Sequence, residues 1–406
     1  MIKLQKRFQN FIRKRYTKKV VSRLLNNHKS HLYNFHLDRI LTFARYAYDN
    51  SKLLSSELYI SHGVRALSAA YTLSTITNKN YIYDAIEVPS FKHRNTSVKW
   101  HPTVLDTIEL LNDFYIKNTS EIMTVSESLG NYLRSYKLPV HVIPNYRLNN
   151  QVELSLACHN DCLHRLVRVN SCKKLVLILS TITSHVESLI LSINHLPKDV
   201  DLVFLGEIRP EAYKQSMQKF AKDNKVYNRC HWIKPIPYHN LIKTIACAKL
   251  GIILLDPERL NSYLSLPNRI FDYFAATLPI ISPDIPDIRN LLFKHKCGLI
   301  LKDINPLSWS QAINKVLLDL NFYKLNMTNL NQLYSWTSCE SNLLKIINGR
   351  ESVTILSMND LVNNQRARRI AGTLANNGVF VKIFCLSNHE QKYFHPNIQY
   401  HILKKF

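Results

Sequence analysis

The sequence predicts an α/β protein with two doubly wound parallel sheets. Its 406 residues, 46% of them hydrophobic, are enough for two or three domain-sized cores. Strand-length apolar runs alternate with helical stretches in two series, one from Leu58 to Asn145 and one from Leu175 onward. This alternation is typical of βαβ units, which place ligands at the carboxyl ends of parallel strands. We therefore expect two lobes, each with its own sheet.

The charge balance indicates an anionic partner. Lys and Arg number 53 against 29 Asp and Glu, a net charge of +24. Nucleic acid, an anionic membrane face and phosphorylated substrates all suit this charge, whose sign does not choose among them. The chain has 8 glycines, whereas average usage of about 7% would give roughly 28. A phosphate site must therefore rely on helix ends and side chains.

Cysteine usage and hydropathy bear on the compartment. Eight scattered cysteines with no apparent secretory signal predict reduced thiols in a cytosolic protein. The longest apolar runs have strand length, so we expect no membrane span.

Residues 1–37 predict a basic amphipathic helix. They carry ten Lys or Arg and no Asp or Glu. Apolar residues recur at every fourth position: Phe8, Ile12, Tyr16, Val20 and Leu24. Two interpretations stay open, a docking element facing anionic lipid or an acceptor, and a lobe helix with a solvated basic face.

The predicted strands follow in order along the chain. In the first series they are Leu58–Ile60, Tyr81–Tyr83, Glu121–Val125 and Val140–Ile143, and in the second they are Leu175–Leu179, Asp201–Gly206, His231–Ile233 and Leu250–Leu255. Residues 149–172 connect the two series. They contain residues of the types that bind zinc, namely Cys158, His159, Cys162 and His164. Because no second ligand pair stands nearby, we expect unrelated thiols and no metal site.

The stretch 264–289 is the strongest candidate for a ligand site. Ser265 can cap a helix with Pro267 in its first turn. The apolar positions fall on one face: Ile270, Phe271, Phe274, Ala275 and Leu278. Asn268, Arg269 and Asp272 fall on the other, near the free N–H groups of the helix start. A cation and a carboxylate there suit a phosphate joined to a sugar, and an i,i+3 surface pair between them is the structural alternative.

Three segments together resemble one protein family. SLPNRIFDYFAA at 265–276, TVSES at 124–128 and IPN at 143–145 resemble retaining GT-B glycosyltransferases of family 4, also called glycosyl transferases group 1. The resemblance covers nearly all of the chain. It implies two Rossmann-like lobes with a cleft between them, in which a sugar moves from a nucleoside diphosphate sugar to an acceptor with retention of anomeric configuration.

The resemblance also implies partners and a location. The donor substrate is a nucleotide sugar, no further cofactor is needed, and the acceptor is a glycan or a lipid-linked glycan in cell-surface polysaccharide biosynthesis. The basic helix over 1–37 would face an anionic membrane surface, which implies a cytoplasmic protein that is peripheral on the inner membrane face. No nucleic-acid motif is apparent in the sequence, so nucleic-acid binding ranks last.

The donor-binding residues follow from the matched positions. Asp272 matches the carboxylate that binds the nucleotide ribose hydroxyls, and an ionised carboxylate suits a vicinal diol. Arg269 matches the Lys beside the diphosphate. Ser265 and Asn268 belong to the turn that meets the phosphates. Asn145 matches an Asn that lines the cleft, and a turn residue with a local hydrogen bond is its structural alternative.

Further site residues come from more distant segments. Asp84 and Glu87 match the segment that faces the sugar, and with Arg269 they form the predicted catalytic set; helix capping is the alternative for the two carboxylates. His185 is a candidate substitute donor, because residues 180–185 replace the glycine-rich loop of the family.

The sequence also departs from the family. Ile86 stands where many relatives carry His, and Leu264 stands at the first Glu of a paired-Glu pattern. Each change removes a group that could stabilise charge or approach a phosphate. A degenerate GT-B protein that binds a nucleotide, a glycan or a partner enzyme without turnover is therefore the alternative function.

The last 56 residues predict one more βαβ unit, with a strand at 353–357, a helix containing Arg366 and a strand at 379–386. In the family such a unit opens the first lobe, and residues 1–150 lack it. We therefore predict an N-terminal lobe over 1–150, a nucleotide-sugar lobe over 173–348, and a unit over 351–406 that completes the first sheet in circularly permuted order. The alternative is a tandem arrangement, in which 351–406 opens a second module.

Overall fold

A computed structural model describes residues 31–91, 102–148, 162–179, 185–361, 364–387 and 395–403, with backbone alone at 31–38, 102–104 and 162. Most of the predicted basic helix over 1–37 lies outside these residues. The described chain forms two compact units. Unit 1 comprises the described residues within 1–125, 129–143 and 340–406, and unit 2 comprises those within 126–128 and 144–339.

The elements are numbered in chain order. The strands are β1 Leu58–His62, β2 Asn80–Ala85, β3 Glu121–Thr124, β4 Val140–Val142, β5 Lys174–Leu179, β6 Val200–Leu205, β7 Cys230–Ile233, β8 Leu250–Ile252, β9 Ile280–Pro283, β10 Gly298–Leu301, β11 Ser352–Ser357, β12 Phe380–Leu386 and β13 Ile398–Leu403. The helices are α1 His31–Asp49, α2 Leu67–Thr77, α3 Pro102–Lys117, α4 Glu127–Leu133, α5 Cys162–Val167, α6 Val186–Ser192, α7 Glu211–Asp223, α8 Tyr238–Ile245, α9 Leu260–Tyr263, α10 Arg269–Ala275, α11 Pro286–His295, α12 Pro306–Leu318, α13 Leu320–Leu325, α14 Leu330–Leu333, α15 Thr337–Ile347 and α16 Gln365–Asn376.

Unit 1 is built on one parallel sheet with the order β13-β12-β11-β1-β2-β3-β4. If β11, β12 and β13 are counted as strands 1 to 3 and β1 to β3 as strands 4 to 6, this is the order 3-2-1-4-5-6 of doubly wound sheets, and β4 adds one further strand. The first three strands of the sheet therefore come from the last part of the chain. β11 pairs with β1 in the register Leu58 to Val353 through Ser61 to Leu356, which is the pairing that a permuted order requires. The domain limits at 150, 173, 348 and 351 stay predictions.

The pairing of β1 with β11 is stabilised by burial of apolar residues and by polar contacts. All five residues of β1 are buried. Beside the strands, the hydroxyls of Ser56 and Thr354 lie 2.8 Å apart, and Thr354 also donates to the Leu54 carbonyl at 2.8 Å. Strands buried on both faces need neighbours on both edges as well, because an unpaired backbone N–H or C=O group is costly away from water. β11 supplies that neighbour to β1.

Unit 2 is built on a parallel sheet with the order β10-β9-β8-β5-β6-β7. With β5 counted as the first strand and the sheet read from the β7 edge, this is again the order 3-2-1-4-5-6. The direction of winding reverses between β5 and β8. Alternate residues of β5 enter two separate apolar cores. Val176 and Ile178 belong to the core on one face of the sheet, and Leu175, Leu177 and Leu179 belong to the core on the other face. Both faces of the sheet are thus covered, as in doubly wound proteins. The reversal between β5 and β8 is where such sheets bind ligands.

Within the ranges that the structure describes, none of the helices combines the length and the apolar character needed to cross a membrane.

The predicted permuted order can be tested by truncation. A chain that ends at Gly349 lacks β11 to β13 and α16 and leaves the buried strand β1 as an unpaired edge. We expect this chain to aggregate, because an apolar strand edge pairs with other chains. Co-expression of residues 351–406 as a separate polypeptide should restore soluble protein, measured as yield and by gel filtration. A truncated chain that remains soluble, monomeric and folded would favour the tandem arrangement.

Candidate functional site

Helix α10 is fixed at the winding reversal of unit 2 by the side chain of Tyr273. Its Oη accepts a hydrogen bond from the Leu179 N–H at 3.1 Å and lies 3.0 Å from the Ile252 carbonyl oxygen. These partners are the last residues of β5 and β8. Burial raises the pKa of Tyr273 well above its usual range, so the hydroxyl keeps the proton that it donates. α10 is therefore held at the carboxyl ends of the two strands where a ligand site is expected.

Gly251 on β8 allows this close approach. A Cβ built at Gly251 would lie 2.6 Å from the ring of Tyr273, a distance that real side chains do not show. The glycine is thus required by packing.

The predicted start of this helix is wrong. α10 begins at Arg269, and its N-cap Asn268 makes no capping hydrogen bond through its side chain. Ser265, the predicted cap, is half-buried and donates from Oγ to the Ser262 carbonyl at 2.8 Å. Ser265 thus closes the end of the short helix α9. Pro267 precedes α10, so the predicted free helix start at Ser265 does not form.

Asp272 is buried and paired, although the helical pattern predicts an exposed position. Arg147 donates from Nη1 to Asp272 Oδ1 at 2.6 Å. The alternative i,i+3 pair with Arg269 is absent among the described residues. The sequence analysis did not identify Arg147, which lies two residues after the predicted site residue Asn145. The one feature of the local sequence that could have pointed to Arg147 is that it is a lone cation close to the IPN segment.

Arg147 is itself held from several sides. Its carbonyl accepts a hydrogen bond from the Trp336 N–H at 2.6 Å, and its backbone forms a parallel bridge with Ser335. Its guanidinium carbon lies 4.5 Å from the centre of the Tyr238 ring, in cation–π geometry. The position of the guanidinium beside Asp272 is therefore fixed by both backbone and side chain.

The structure brings four of the predicted donor-site residues together. Asn145 donates from Nδ2 to Asn268 Oδ1 at 2.8 Å, and Arg269 and Asp272 follow Asn268 within the same turn and the next. The Nη1 of Arg269 is shielded from solvent and has no hydrogen-bond partner among the described residues. Burial lowers the pKa of Arg269. A shielded guanidinium donor without a partner is uncommon in folded proteins, which makes Arg269 a candidate contact for an anionic ligand.

His185 is not part of this group. It adopts the left-handed backbone conformation, with φ of 59°, just before α6. Its Nε2 lies 3.6 Å from Asp256 Oδ1, whose other oxygen accepts from Arg259 Nε at 3.0 Å. Among the described residues, no hydrogen bond or ion pair joins it to α10. Residues 180–184 lie outside the described residues, and the donor role of His185 stays a prediction.

In unit 1, Asp84 lies at the centre of a fully buried polar cluster. Arg366 donates to Asp84 Oδ1 from Nη2 at 2.7 Å and from Nε at 3.0 Å, and His62 Nδ1 lies 2.7 Å from Oδ2. Burial alone would raise the pKa of Asp84, but the charge of Arg366 and the hydrogen bond from His62 outweigh it and hold the pKa well below its usual range. Asp84 is therefore ionised at neutral pH.

The cluster fixes the tautomer of His62 and joins distant segments. Asn364 accepts the Ala367 N–H on its Oδ1 at 3.1 Å, so its Nδ2 donates to His62 Nε2 at 2.8 Å. His62 then carries its proton on Nδ1 and donates it to Asp84. Arg366 also donates to the Ile143 carbonyl at 2.5 Å. The observed role of this cluster is to join β1, β2, α16 and the end of β4.

The other predicted residues of unit 1 have different surroundings. Asp84 has no exposed surface in this arrangement, so a direct contact with substrate would require the cluster to open. Glu87 is half-buried in the bend that follows β2. The catalytic roles of both carboxylates stay predictions.

The metal-type residues of the connecting segment are described only in part. Cys158 and His159 lie outside the described residues, as does the side chain of Cys162. The Nε2 of His164 lies 2.9 Å from the Lys173 carbonyl oxygen. Across the described residues no group of three or more His, Cys, Asp or Glu side chains is arranged to hold a metal ion.

Packing of α10 on the sheet can be tested at Gly251. Gly251→Ala should reduce the free energy of unfolding by about 1–3 kcal/mol, because the new Cβ overpacks against Tyr273. The measurement is thermal unfolding followed by circular dichroism. In a Tyr273→Leu background, which removes the ring, the same change should cost less. An equal cost in both backgrounds would show that the ring does not require the glycine.

The buried cluster of unit 1 predicts a pH dependence. The depressed pKa of Asp84 means that its stabilising contribution is present above the unfolded carboxyl pKa of about 3.9 and is lost as the pH falls below it. Arg366→Met should cost about 3–5 kcal/mol at pH 6, because it leaves a buried charge unpaired. The difference from the parent protein should narrow as the pH falls toward 3.

Urea unfolding at several pH values measures this difference. Arg368→Met, at an exposed position of the same helix, is the matched control and should change stability by about 0.5 kcal/mol or less. A gap between Arg366→Met and the parent that does not vary with pH would contradict the assigned ionisation of Asp84.

Comparison with known proteins gives a limited sequence match. No protein-family model matches the chain. A curated protein, the chitobiosyldiphosphodolichol beta-mannosyltransferase of Candida albicans, is 33% identical over 88 residues. The match covers 22% of this chain and 18% of that protein, so it spans less than a fifth of the relative's length.

Solved structures match over most of the chain. Sucrose-phosphate synthase from Thermosynechococcus elongatus aligns with a TM-score of 0.59 at 14% identity, over 76% of each chain. Anabaena HepE, solved with UDP-glucose, aligns with a TM-score of 0.58 at 12% identity, over 75% of this chain and 81% of that one. WaaG, a glycosyltransferase involved in lipopolysaccharide biosynthesis, aligns with a TM-score of 0.51 at 11% identity, over 75% and 96%.

At these low identities the structural alignments show the fold alone, and the two parallel sheets agree with it. The chain has the GT-B fold, with two Rossmann-like units, and it is similar to the group 1 glycosyltransferases that share this fold.

Proposed function

We propose that this protein is a glycosyltransferase that moves a sugar from a nucleoside diphosphate sugar to an acceptor. The observation that carries the proposal is the shielded, unpartnered Nη1 of Arg269 on the helix that Tyr273 fixes at the winding reversal of unit 2. The leaving nucleoside diphosphate gains negative charge as the glycosidic bond breaks. A fixed guanidinium stabilises such charge without reorganising during the reaction.

The matched positions and the contacts of the neighbouring residues support the roles proposed for them. Arg269 binds the diphosphate, and Asp272 accepts hydrogen bonds from the ribose. The hydrogen-bonded pair of Asn145 and Asn268 borders the same site. Ser265 presents its backbone to the phosphates, since its side chain is used within α9. UDP and UDP-glucose in the solved structures of HepE support a uridine nucleotide as the first donor to examine.

The finer parts of the proposal concern the acceptor and the setting. Unit 1, with Glu87 after β2, binds a glycan or lipid-linked glycan, and transfer proceeds with retention. WaaG, by its name a glycosyltransferase of lipopolysaccharide biosynthesis, supports a role in cell-surface polysaccharides. The ten basic residues over 1–37 support attachment to an anionic membrane surface at the cytoplasmic face. No cofactor beyond the donor substrate is part of this proposal.

A second candidate function is binding without turnover. It is favoured by the loss of the glycine-rich loop at 180–185, by Leu264 in place of a carboxylate, and by the burial of Asp84. Such a protein would hold a nucleotide or glycan, or pair with an active transferase. Nucleotide affinity without sugar transfer separates this function from the enzymatic one.

The test uses the full chain with a panel of radiolabelled UDP-, GDP- and ADP-sugars, with release of nucleoside diphosphate and transfer to water or glycan as readouts. We expect one donor to turn over. Arg269→Met should lower kcat/KM by about 100-fold or more, the loss typical of removing one electrostatic group from a transition-state site. NMR of the anomeric proton in the product tests retention.

Lys174→Met is the control, because Lys174 forms an exposed ion pair with Asp199 at 2.9 Å, at the amino end of β5. It should leave turnover unchanged. Nucleotide binding with no turnover of any donor would establish the second candidate function. Full activity of Arg269→Met would contradict the role assigned to Arg269.

A further inference from the structure

α10 carries a cation and a carboxylate at the spacing that usually pairs on a helix, yet they do not pair. Arg269 and Asp272 are three residues apart, on neighbouring positions of one helical face. Asp272 is bound instead by Arg147, 125 residues earlier in the chain. We propose that Arg147 is a positioning residue that holds Asp272 away from Arg269 and so keeps Arg269 available for the diphosphate of the donor. The identity of this ligand rests on the proposed function.

The pair of Arg147 and Asp272 is built to persist. The side chains are 6% and 12% exposed, and Nη1 and Oδ1 are 2.6 Å apart. Breaking a buried pair leaves an uncompensated charge, so the carboxylate does not leave Arg147 unless another cation replaces it. On the same helix, the cation that could replace Arg147 is Arg269. The charge of Asp272 already acts to raise the pKa of Arg269, against the larger lowering by burial.

Arg147 can hold Asp272 because its own position is fixed independently of α10. Its backbone is bound to Ser335 and Trp336, and its guanidinium lies over the ring of Tyr238. The preceding Tyr146 packs edge-on against Phe271 at 4.8 Å between ring centres, which ties this segment to the apolar face of α10. The guanidinium therefore meets the polar face of the helix from a fixed direction.

The planar guanidinium is needed for this geometry. Arg147 stacks on an aromatic face and donates in its plane to a carboxylate at the same time. An ammonium group is a compact point charge that has no plane to stack on the ring while it donates to the carboxylate. We therefore expect lysine at position 147 to be an incomplete substitute.

The separation of Arg269 from Asp272 decides which donor remains for a ligand. Asp272 is ion-paired with Arg147, and the shielded donor without a hydrogen-bond partner among the described residues is on Arg269. A phosphate oxygen satisfies such a donor with a charge-assisted hydrogen bond. If Asp272 turned to Arg269, the donor would be satisfied within the helix and the attraction for an anion would be largely cancelled.

Inorganic pyrophosphate tests the inference, because it carries the diphosphate charge without ribose or sugar. Calorimetric titration of the full chain should show binding by the parent protein and about tenfold weaker binding by Arg147→Met, in which Asp272 is free to pair with Arg269. The double variant Arg147→Met with Asp272→Asn should recover most of the affinity, since the amide cannot neutralise Arg269. A merely structural role of Arg147 predicts no such rescue.

Further variants keep the test valid if Arg147→Met folds poorly. Arg147→Lys retains the charge and should lose affinity by a smaller factor, again with rescue by Asp272→Asn. Lys174→Met should bind as the parent does, and circular dichroism checks the fold of each variant. Unchanged pyrophosphate affinity in Arg147→Met and Arg147→Lys, or no recovery in the double variants, would overturn the inference.

The same titration separates this inference from the proposed function. Pyrophosphate binding with the predicted rescue, but without turnover of any nucleotide sugar, would contradict the enzymatic function and support the role of Arg147. Turnover of a nucleotide sugar by a chain that does not bind pyrophosphate would support the function and overturn the role of Arg147.

Discussion

The hydroxyl of Tyr273 is the contact on which the candidate site depends. It binds the ends of β5 and β8 at the point where the winding of the unit 2 sheet reverses. Gly251 leaves room for the ring, and the apolar face of α10 is buried in the core behind it. Because the helix cannot shift without losing these contacts, its polar face is presented in one orientation. The packing of α10 on the sheet therefore determines the positions of Arg269 and Asp272.

Both units combine a buried carboxylate with an arginine from a distant segment. Asp84 binds Arg366, 282 residues away, and Asp272 binds Arg147. In unit 1 the two partners also join the last part of the chain to strands that precede it in sequence. In unit 2 the pair leaves the neighbouring Arg269 with a shielded donor, Nη1, that has no hydrogen-bond partner among the described residues. The same type of ion pair thus joins distant segments in both units, and in unit 2 it lies beside the proposed ligand site.

The sequence predicts the two sheets and most strand positions, because βαβ alternation is a local signal. It also identifies the segment that carries Asn268, Arg269 and Asp272. Arg147 and Arg366 escape prediction since partners more than a hundred residues apart leave no periodic trace. The prediction that Ser265 caps the next helix is wrong for a different reason. Its hydroxyl can bind either at the end of α9 or at the start of the next helix, and the local sequence does not distinguish these two positions.

The central claim is that Arg269 is the diphosphate-binding cation of a GT-B transferase. A crystal structure of the full chain with a bound nucleoside diphosphate, UDP first, tests it most directly. The account predicts phosphate oxygens within hydrogen-bond distance of the Arg269 guanidinium, with the pair of Arg147 and Asp272 intact beside the ribose. A nucleotide bound elsewhere, or Arg269 paired with Asp272 in the complex, would contradict it.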